Sequence, residues 1–179
     1  LGRFMWVFII LGVVLSCMHQ SSLGTLLLIA PTKVHALWYT PMLPLLFLLS
    51  AFAVGYPMVV VETTLATTSL GLDGEMPVLS RLSRIVILTL GVYGALKLGD
   101  AIHRGVLPLA FDGSGQGLAW LAEVGLGVVA PWLLLLSARV RADRRLLFTA
   151  CLMVVLGVLL NRFNVFVTSF TAPYTEVPY

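Results

Sequence analysis

The stretch PMLPLLFLLSAFAVGYPMVVVETTL, residues Pro41–Leu65, decides the fold, because its single charged side chain is Glu62. At a rise of 1.5 Å per residue, a helix of this length extends over about 37 Å, which exceeds the ~30 Å hydrocarbon core of a bilayer. Strands of a membrane barrel would instead alternate in hydrophobicity over segments of about ten residues. The stretch therefore predicts a transmembrane α-helix.

Four further apolar stretches resemble it in length and composition. They are Phe4–Ala30, Leu82–Arg104, Leu118–Ser137 and Leu146–Phe170. The 179 residues are 59% hydrophobic and 11% charged, whereas soluble domains have about 25% charged residues. This composition excludes a soluble enzyme, a nucleic-acid-binding domain and a disordered linker. It predicts an all-α, polytopic bundle of about five spanning helices, with residues 1–179 as a single transmembrane domain.

The basic residues are distributed unevenly between the two sides of these predicted spans. Lys33 and Arg104 fall on one side. The opposite side receives Arg3, Arg81, Arg84, Arg139, Arg141, Arg144 and Arg145. Because Lys and Arg accumulate in cytoplasmic loops, the Arg-rich loops are predicted to be cytoplasmic and the loop His35–Tyr39 to face outward, with Trp38 at the membrane interface.

Ionisable residues occur at a similar depth in four different spans. Counted from the Arg-rich side, His19 lies about 22 Å along the first span, Asp100 about 27 Å along the third and Arg162 about 24 Å along the fifth. Glu123 enters the fourth span from the other side, about 8 Å deep. Each charged group costs at least about 2.5–3.5 kcal/mol in the membrane, so we expect the four to meet in one polar layer.

Further polar side chains are predicted to belong to this layer or to lead into it. Gln20 and Ser22 lie near His19, and Asp100 can reach Lys97, His103 or Arg104 on its own helix. Besides Asp100 and Glu123, the predicted polar or proton-transfer cluster contains Glu62, Lys97, His103, Asn161, Arg162 and Asn164.

Each of these residues also has a structural interpretation. His19 can be a packed histidine that bonds a carbonyl group, and Arg162 can tie helices together. The charges around Asp100 can form an ion-pair lock or extend toward the interface, and Glu62 can be an ordinary interfacial carboxylate.

Small residues and proline predict how the helices pack. Ala51 with Gly55, and Gly91 with Gly94, provide surfaces for close helix contact. Pro57 and Pro131 should kink the second and fourth spans, because proline lacks the N–H that an α-helix needs.

Five ordered motifs resemble one known family. They are HQSSLG at His19–Gly24, WYTP at Trp38–Pro41, GYPM at Gly55–Met58, LKLGD at Leu96–Asp100 and NRFNV at Asn161–Val165. Together they are similar to the NrfD/PsrC family of polysulfide-reductase-type integral membrane subunits over essentially the whole chain. Within that family the chain is most similar to the membrane subunits of periplasmic nickel–iron hydrogenases of the hydrogenase-2 type.

The resemblance implies a function that composition alone does not give. Such a subunit has no catalytic residue, metal site, haem or iron–sulfur cluster of its own. It lies in the bacterial cytoplasmic membrane, anchors a periplasmic ferredoxin-like iron–sulfur subunit and a catalytic subunit, and exchanges electrons with menaquinone or ubiquinone. Family members have about eight to ten spans, so this chain is expected to be the central or C-terminal part of a longer protein.

The site residues follow from the same resemblance. His19, Gln20 and Ser22 match the quinone-binding motif, whereas the cluster around Asp100 and Glu123 belongs to the second bundle of the family. Three alternatives stay open: an ion or solute transporter, a purely structural anchor, and a haem b cytochrome that uses His19 and His103 as ligands.

Overall fold

Five long helices dominate the computed structural model, which describes residues 2–29, 33–71 and 76–171. Within those ranges the regular secondary structure is helical throughout, which confirms the predicted all-α fold with five spans. The helices that form single spans are α1 (Gly2–Leu28), α2 (Leu43–Ser69), α3 (Met76–His103) and α8 (Arg144–Phe166). The fourth span consists of α5 (Gly115–Val124), a π-helical turn (Gly125–Val129) and α6 (Ala130–Leu136). The shorter elements are α4 (Leu107–Ala110), α7 (Ala138–Ala142) and a final 3-10 turn (Thr168–Thr171).

Two helices extend beyond the apolar segments that predicted them. α2 continues to Ser69, because its backbone hydrogen bonds run on to the Leu70 N–H, which donates to the Ala66 carbonyl at 2.9 Å. The Thr68 and Ser69 hydroxyls donate to the carbonyls of Thr64 and Leu65 in the same turn. α3 begins at Met76 and takes in two exposed arginines before its apolar part. Hydropathy locates the part of a helix that contacts lipid, whereas hydrogen bonding decides where the helix ends.

Local caps fix the other boundaries. The Ser114 side chain accepts a hydrogen bond from the Gly117 N–H at 3.0 Å at the start of α5. The Asp143 carboxylate accepts from the N–H groups of Arg145 and Leu146 at the start of α8. Such caps satisfy N–H groups that have no partner within the helix.

Of the two prolines predicted to kink a span, Pro131 directly follows a π-helical turn, whereas Pro57 lies inside the continuous helix α2. The Ala130 N–H bonds the Gly125 carbonyl, five residues back, so the chain has locally widened its register. This turn brings Gly127 against α8, where a methyl group on Gly127 would lie 2.6 Å from Gly157 Cα. The Gly127–Gly157 contact was not predicted from the sequence, since the two glycines belong to different spans and form no small-residue motif in either.

The two predicted surfaces of small residues have different outcomes. Gly94 packs on Val128 of the fourth span, because a Cβ atom added to Gly94 would lie only 2.9 Å from Val128 Cγ1. The prediction for Gly55 is wrong within the described chain: it is exposed, with no atom within 4 Å of that position. The close approach to α1 occurs nearer the start of α2, where Gly24 meets the backbone of Pro44.

Four of the spans form a closed bundle, and α1 lies outside it. α2 packs on α3, α3 on α6, α6 on α8, and α8 back on α2, whereas α1 packs along α2. Three groups of buried apolar residues fill the bundle from one end to the other. The buried polar side chains described below lie between the group near the loop that joins α1 to α2 and the central group.

Candidate functional site

An ion pair between Lys97 of α3 and Glu123 of α5 lies inside the bundle. Lys97 is 8% exposed and Glu123 is 1% exposed. Glu123 Oε1 also accepts from Asn161 Nδ2 at 2.7 Å, and its Oε2 accepts from Trp38 Nε1 and Asn164 Nδ2 at 3.0 Å each. Four donors thus fill the acceptor positions of the carboxylate and connect three spans with the loop before α2.

Arg162 extends this network toward α2. Its guanidinium donates to Asn161 Oδ1 at 3.0 Å, to Ser50 Oγ at 2.6 Å and to the Phe47 carbonyl at 3.3 Å. It also lies 3.7 Å from the centre of the Phe47 ring, as in a cation–π contact. Arg162 is therefore turned into the bundle.

A second polar cluster surrounds Asp100, near the end of α3. Asp100 Oδ2 accepts from Arg104 Nε at 2.8 Å, and Oδ1 accepts from Thr40 Oγ1 at 2.8 Å. Arg104 in turn donates to the backbone carbonyls of Ala36 and Tyr39. These bonds hold the loop before α2 against the end of α3.

Helical spacing along the third span allows Asp100 three partners, and the structure uses one of them. Of the three partners that Asp100 can reach, Arg104 is bound, Lys97 pairs with Glu123 instead, and His103 is exposed. Lys97 binds the buried carboxylate of Glu123 on a neighbouring helix. The spacing of residues along α3 gives no information about such a partner.

A small cavity separates the two clusters. Its volume is about 20 Å³, and its polar lining includes Lys97, Asp100 and Asn161. A cavity needs roughly 10–15 Å³ and polar partners to hold one water molecule. The cavity therefore has room for a single water molecule between the Glu123 network and Asp100.

The three residues of the HQSSLG motif that were singled out lie apart from this network. His19 and Ser22 are exposed on α1, and Ser22 Oγ donates to the Met18 carbonyl at 2.8 Å. Gln20 is partly buried, and its buried Oε1 has no hydrogen-bond partner among the described residues. The expected meeting of His19 with Asp100, Glu123 and Arg162 does not occur here, because α1 packs along α2 and outside the bundle.

Glu62 and His103 are also outside the network. Both side chains are exposed. Glu62 lies 12 residues beyond Ser50 on α2, which corresponds to about 18 Å along the helix. The structure thus brings together Lys97, Glu123, Asn161, Arg162 and Asn164, with Asp100 across the cavity.

Trp38 of the network lies elsewhere than its sequence position predicts. Trp38 was expected at the membrane interface, facing outward, but it is 3% exposed and bonds Glu123. A buried indole N–H needs an acceptor, and a buried carboxylate needs donors, so the two satisfy each other. Thr40, Phe47 and Ser50 also contribute bonds that the charge pattern did not indicate.

One titratable group of the loop before α2 has a shifted pKa. Partial burial lowers the pKa of His35 below its usual value. Its Nδ1 accepts a hydrogen bond from the Leu37 N–H at 3.3 Å, and its ring lies edge-on to Trp38 at 5.9 Å between centroids. Acceptance of this hydrogen bond requires an Nδ1 without a proton, as in the neutral ring that is protonated on Nε2.

Comparison with known proteins gives the same family as the motifs. The family model described as "Polysulphide reductase, NrfD" matches residues 2–173. The chain belongs to the NrfD family. The network of Glu123 and the motif that contains His19 both lie within the region that matches NrfD.

Two curated proteins are similar to this NrfD chain. One is the "Probable Ni/Fe-hydrogenase 2 b-type cytochrome subunit" of Escherichia coli, which is 37% identical over 160 residues, 88% of this chain and 41% of that protein. The other is a protein of Nitratidesulfovibrio vulgaris, 36% identical over 171 residues, 92% of this chain and 44% of that protein. No solved structure matches the chain significantly. The chain spans less than half the length of these two relatives.

Proposed function

We propose that this chain is part of the quinone-reactive membrane subunit of a multi-subunit oxidoreductase. The observation that carries the proposal is the NrfD match over residues 2–173, together with the HQSSLG motif at His19–Gly24. The name of the Escherichia coli relative, a hydrogenase subunit, supports an electron-transfer role. The subunit exchanges electrons between a periplasmic iron–sulfur subunit and menaquinone or ubiquinone. The iron–sulfur subunit in turn exchanges electrons with a catalytic subunit.

The surface of α1 supports a longer protein with additional helices. His19 and Ser22 are exposed on a helix that is long and apolar enough to span the bilayer, where polar groups facing lipid are unfavourable. Gln20 also has a buried Oε1 without a donor among the described residues. Further helices of an eight- to ten-span protein cover this surface, and the quinone head group binds between them and α1.

The chemistry of His19 suits a quinone head group. Reduction of a quinone to a quinol adds two electrons and two protons, one proton to each carbonyl oxygen. Histidine donates a hydrogen bond to a carbonyl oxygen and exchanges protons near neutral pH. In this mechanism the iron–sulfur subunit supplies two electrons, and His19 binds one oxygen, protonates it and is reprotonated from water at the outer face. The second oxygen takes its proton from the same water, and Gln20 and Ser22 contribute hydrogen bonds.

Proton transfer within the bundle is the second part of the proposal. Glu123 has its acceptor positions occupied, whereas Asp100 is the carboxylate that borders the cavity with room for one water molecule. Asp100 therefore suits a proton position better than Glu123. The proposed cluster comprises Lys97, Asp100, Glu123, Asn161, Arg162 and Asn164, whereas Glu62 and His103, which the sequence also suggested, are exposed and lie outside it.

The proposed location is the bacterial cytoplasmic membrane. The Arg-rich loops face the cytoplasm, and the loop His35–Tyr39 faces the periplasm, where the iron–sulfur subunit binds.

A haem b cytochrome is the alternative that the relative's name raises. A haem of this kind needs two axial ligands on facing helices. His19 and His103 are exposed, His19 lies on α1, and α1 packs along α2 rather than on the helix that carries His103. The pair does not fit a shared haem. A Soret band that disappears in both the His19→Ala and the His103→Ala variants would favour the cytochrome.

Photolabelling of the full-length protein in its complex tests the proposed quinone site. A photoreactive azido-quinone should attach near residues 19–24 in the wild type, and excess menaquinone analogue should prevent the labelling. The His19→Ala variant should lose that labelling, while Met18→Ala, which changes an exposed neighbour, should retain it. Labelling that is equal in all three proteins would contradict the assignment of His19.

A further inference from the structure

A groove lies between the end of α2 and the start of α8, at the opposite end of the bundle from Asp100. Its volume is about 450 Å³. Arg144 and Arg145 of α8 and Thr64 and Thr68 of α2 line it, together with the apolar side chains of Leu65 and Phe148. The network of Glu123 and the HQSSLG motif do not contribute to it, so this groove has no part in the proposed quinone chemistry.

Arg144 is held in a fixed position in the groove. Its Nη2 donates to the Thr64 carbonyl at 3.0 Å, to Thr68 Oγ1 at 2.9 Å and to Thr67 Oγ1. Within the described chain these bonds all use Nη2, so Nε and Nη1 keep N–H donors for another acceptor. Both two-pronged edges of the guanidinium include Nη2, so an anion accepts single hydrogen bonds from Nε or Nη1, and the oriented charge loses less side-chain entropy on binding.

The charge near the groove favours an anion. Arg145 is exposed beside Arg144, and Arg139 and Arg141 lie on α7, immediately before α8. Asp143 is the acidic residue closest in sequence, and its carboxylate accepts the N–H groups that cap α8. The arginines therefore exceed the acidic charge at this end of α8.

The groove also has an apolar part that continues into the membrane-spanning region. Leu65 and Phe148 line it, and the candidate spans of these helices end at Ser69 and begin at Arg144. The groove thus lies at the edge of the bilayer, with arginines at the level of the head groups and apolar side chains toward the hydrocarbon. A free phosphate ion would contact the arginines and leave the apolar side chains of the groove without a partner.

We propose that this groove binds an anionic phospholipid. The phosphate group lies against Arg144 and Arg145, and one acyl chain follows Leu65 and Phe148. Basic grooves between membrane helices select anionic head groups by charge, with about 1 kcal/mol, or roughly fivefold in affinity, for each basic residue at the surface. A lipid in this position contacts both α2 and α8, beside the hydrogen bonds that Arg144 makes to α2.

Native mass spectrometry of the full-length protein in its complex, titrated with phosphatidylglycerol, tests the proposal. The Arg145→Gln variant should bind phosphatidylglycerol about fivefold more weakly than the wild type, with little change for phosphatidylcholine. The matched control is Arg84→Gln, an exposed arginine of α3 that does not line the groove. An equal loss in Arg84→Gln, or no loss in Arg145→Gln, would overturn the proposal.

Two further measurements separate a lipid from a free anion and from a folding defect. Phe148→Ala should also weaken phosphatidylglycerol binding, because it removes the wall for the acyl chain. Inorganic phosphate should not displace the lipid at millimolar concentration, and displacement would show an anion site without lipid selectivity. Because Arg145 is exposed, its variant should unfold at the same denaturant concentration as the wild type. A lower midpoint of unfolding in this variant would show that the loss of binding comes from misfolding.

Discussion

Removing either partner of the Lys97–Glu123 ion pair should destabilise the protein by different amounts. Lys97→Met leaves a buried carboxylate that still accepts from Trp38, Asn161 and Asn164. Loss of one partner from a buried pair costs about 3–5 kcal/mol, because the other charge remains away from water. We therefore expect Lys97→Met to lower the free energy of unfolding by about 3–5 kcal/mol.

Glu123→Leu should be more damaging than Lys97→Met. It leaves the Lys97 ammonium unpaired, at the same cost of about 3–5 kcal/mol, and it also removes the acceptor of Trp38 and Asn161. Each buried donor without an acceptor adds about 1–3 kcal/mol, or about 2–6 kcal/mol for the two. Asn164 is excluded from this sum, since its Nδ2 also donates to the Ala119 carbonyl at 3.2 Å.

Titration of the full-length protein with SDS measures these losses. The Cys151 thiol is fully buried, so its labelling by a maleimide, located by mass spectrometry, reports unfolding of the bundle. Glu62→Leu is the matched control, because this exposed carboxylate has no place in the network, and its effect should stay within about 0.5 kcal/mol. The reasoning is refuted if Glu123→Leu loses no more stability than Lys97→Met, or if Lys97→Met unfolds like the wild type.

Three further predictions concern the loop before α2 and the helix contacts. Because burial lowers the pKa of His35, the unfolded chain takes up a proton below pH ~6.5 that the folded chain does not. Stability should then fall as pH decreases through that range, and the His35→Gln variant should lack this part of the SDS midpoint's pH dependence. Gly157→Val should cost about 1–3 kcal/mol in SDS titration, because its side chain meets the backbone of the fourth span, whereas Gly55→Ala, in open space, should be neutral. Arg104→Ala removes donors to two carbonyls of the loop 33–41, so trypsin should cleave that loop faster than in the wild type.

The sequence predicted the five spans because long apolar runs leave a membrane chain few alternatives. A segment such as Pro41–Leu65 must bury its backbone hydrogen bonds in a helix, whatever its neighbours are. The helix ends were less predictable, since backbone hydrogen bonds continue α2 through the polar Thr and Ser residues up to Ser69, past the apolar run. The contact between Gly127 and Gly157 depends on the π-helical turn, which leaves no simple pattern in the sequence.

The polar network was predictable in its members and less so in its connections. An ionisable residue in a span needs a partner, so Lys97, Glu123 and Arg162 could be singled out from their positions. Which partner each one takes depends on how neighbouring spans face one another. Helical spacing allows an ion pair between Lys97 and Asp100, but in the folded bundle Lys97 pairs with Glu123. Trp38 was misplaced for the same reason, because a loop residue can turn inward when a buried acceptor lies below it.

Quinone reduction by the purified complex tests the central proposal most directly. The rate with a menaquinone analogue should be compared between the wild type and His19→Ala, with the reduction of a soluble dye by the catalytic subunit measured in parallel. The account predicts that His19→Ala loses quinone reduction while the dye reaction and the association of the subunits are retained. Undiminished quinone reduction in His19→Ala would contradict it.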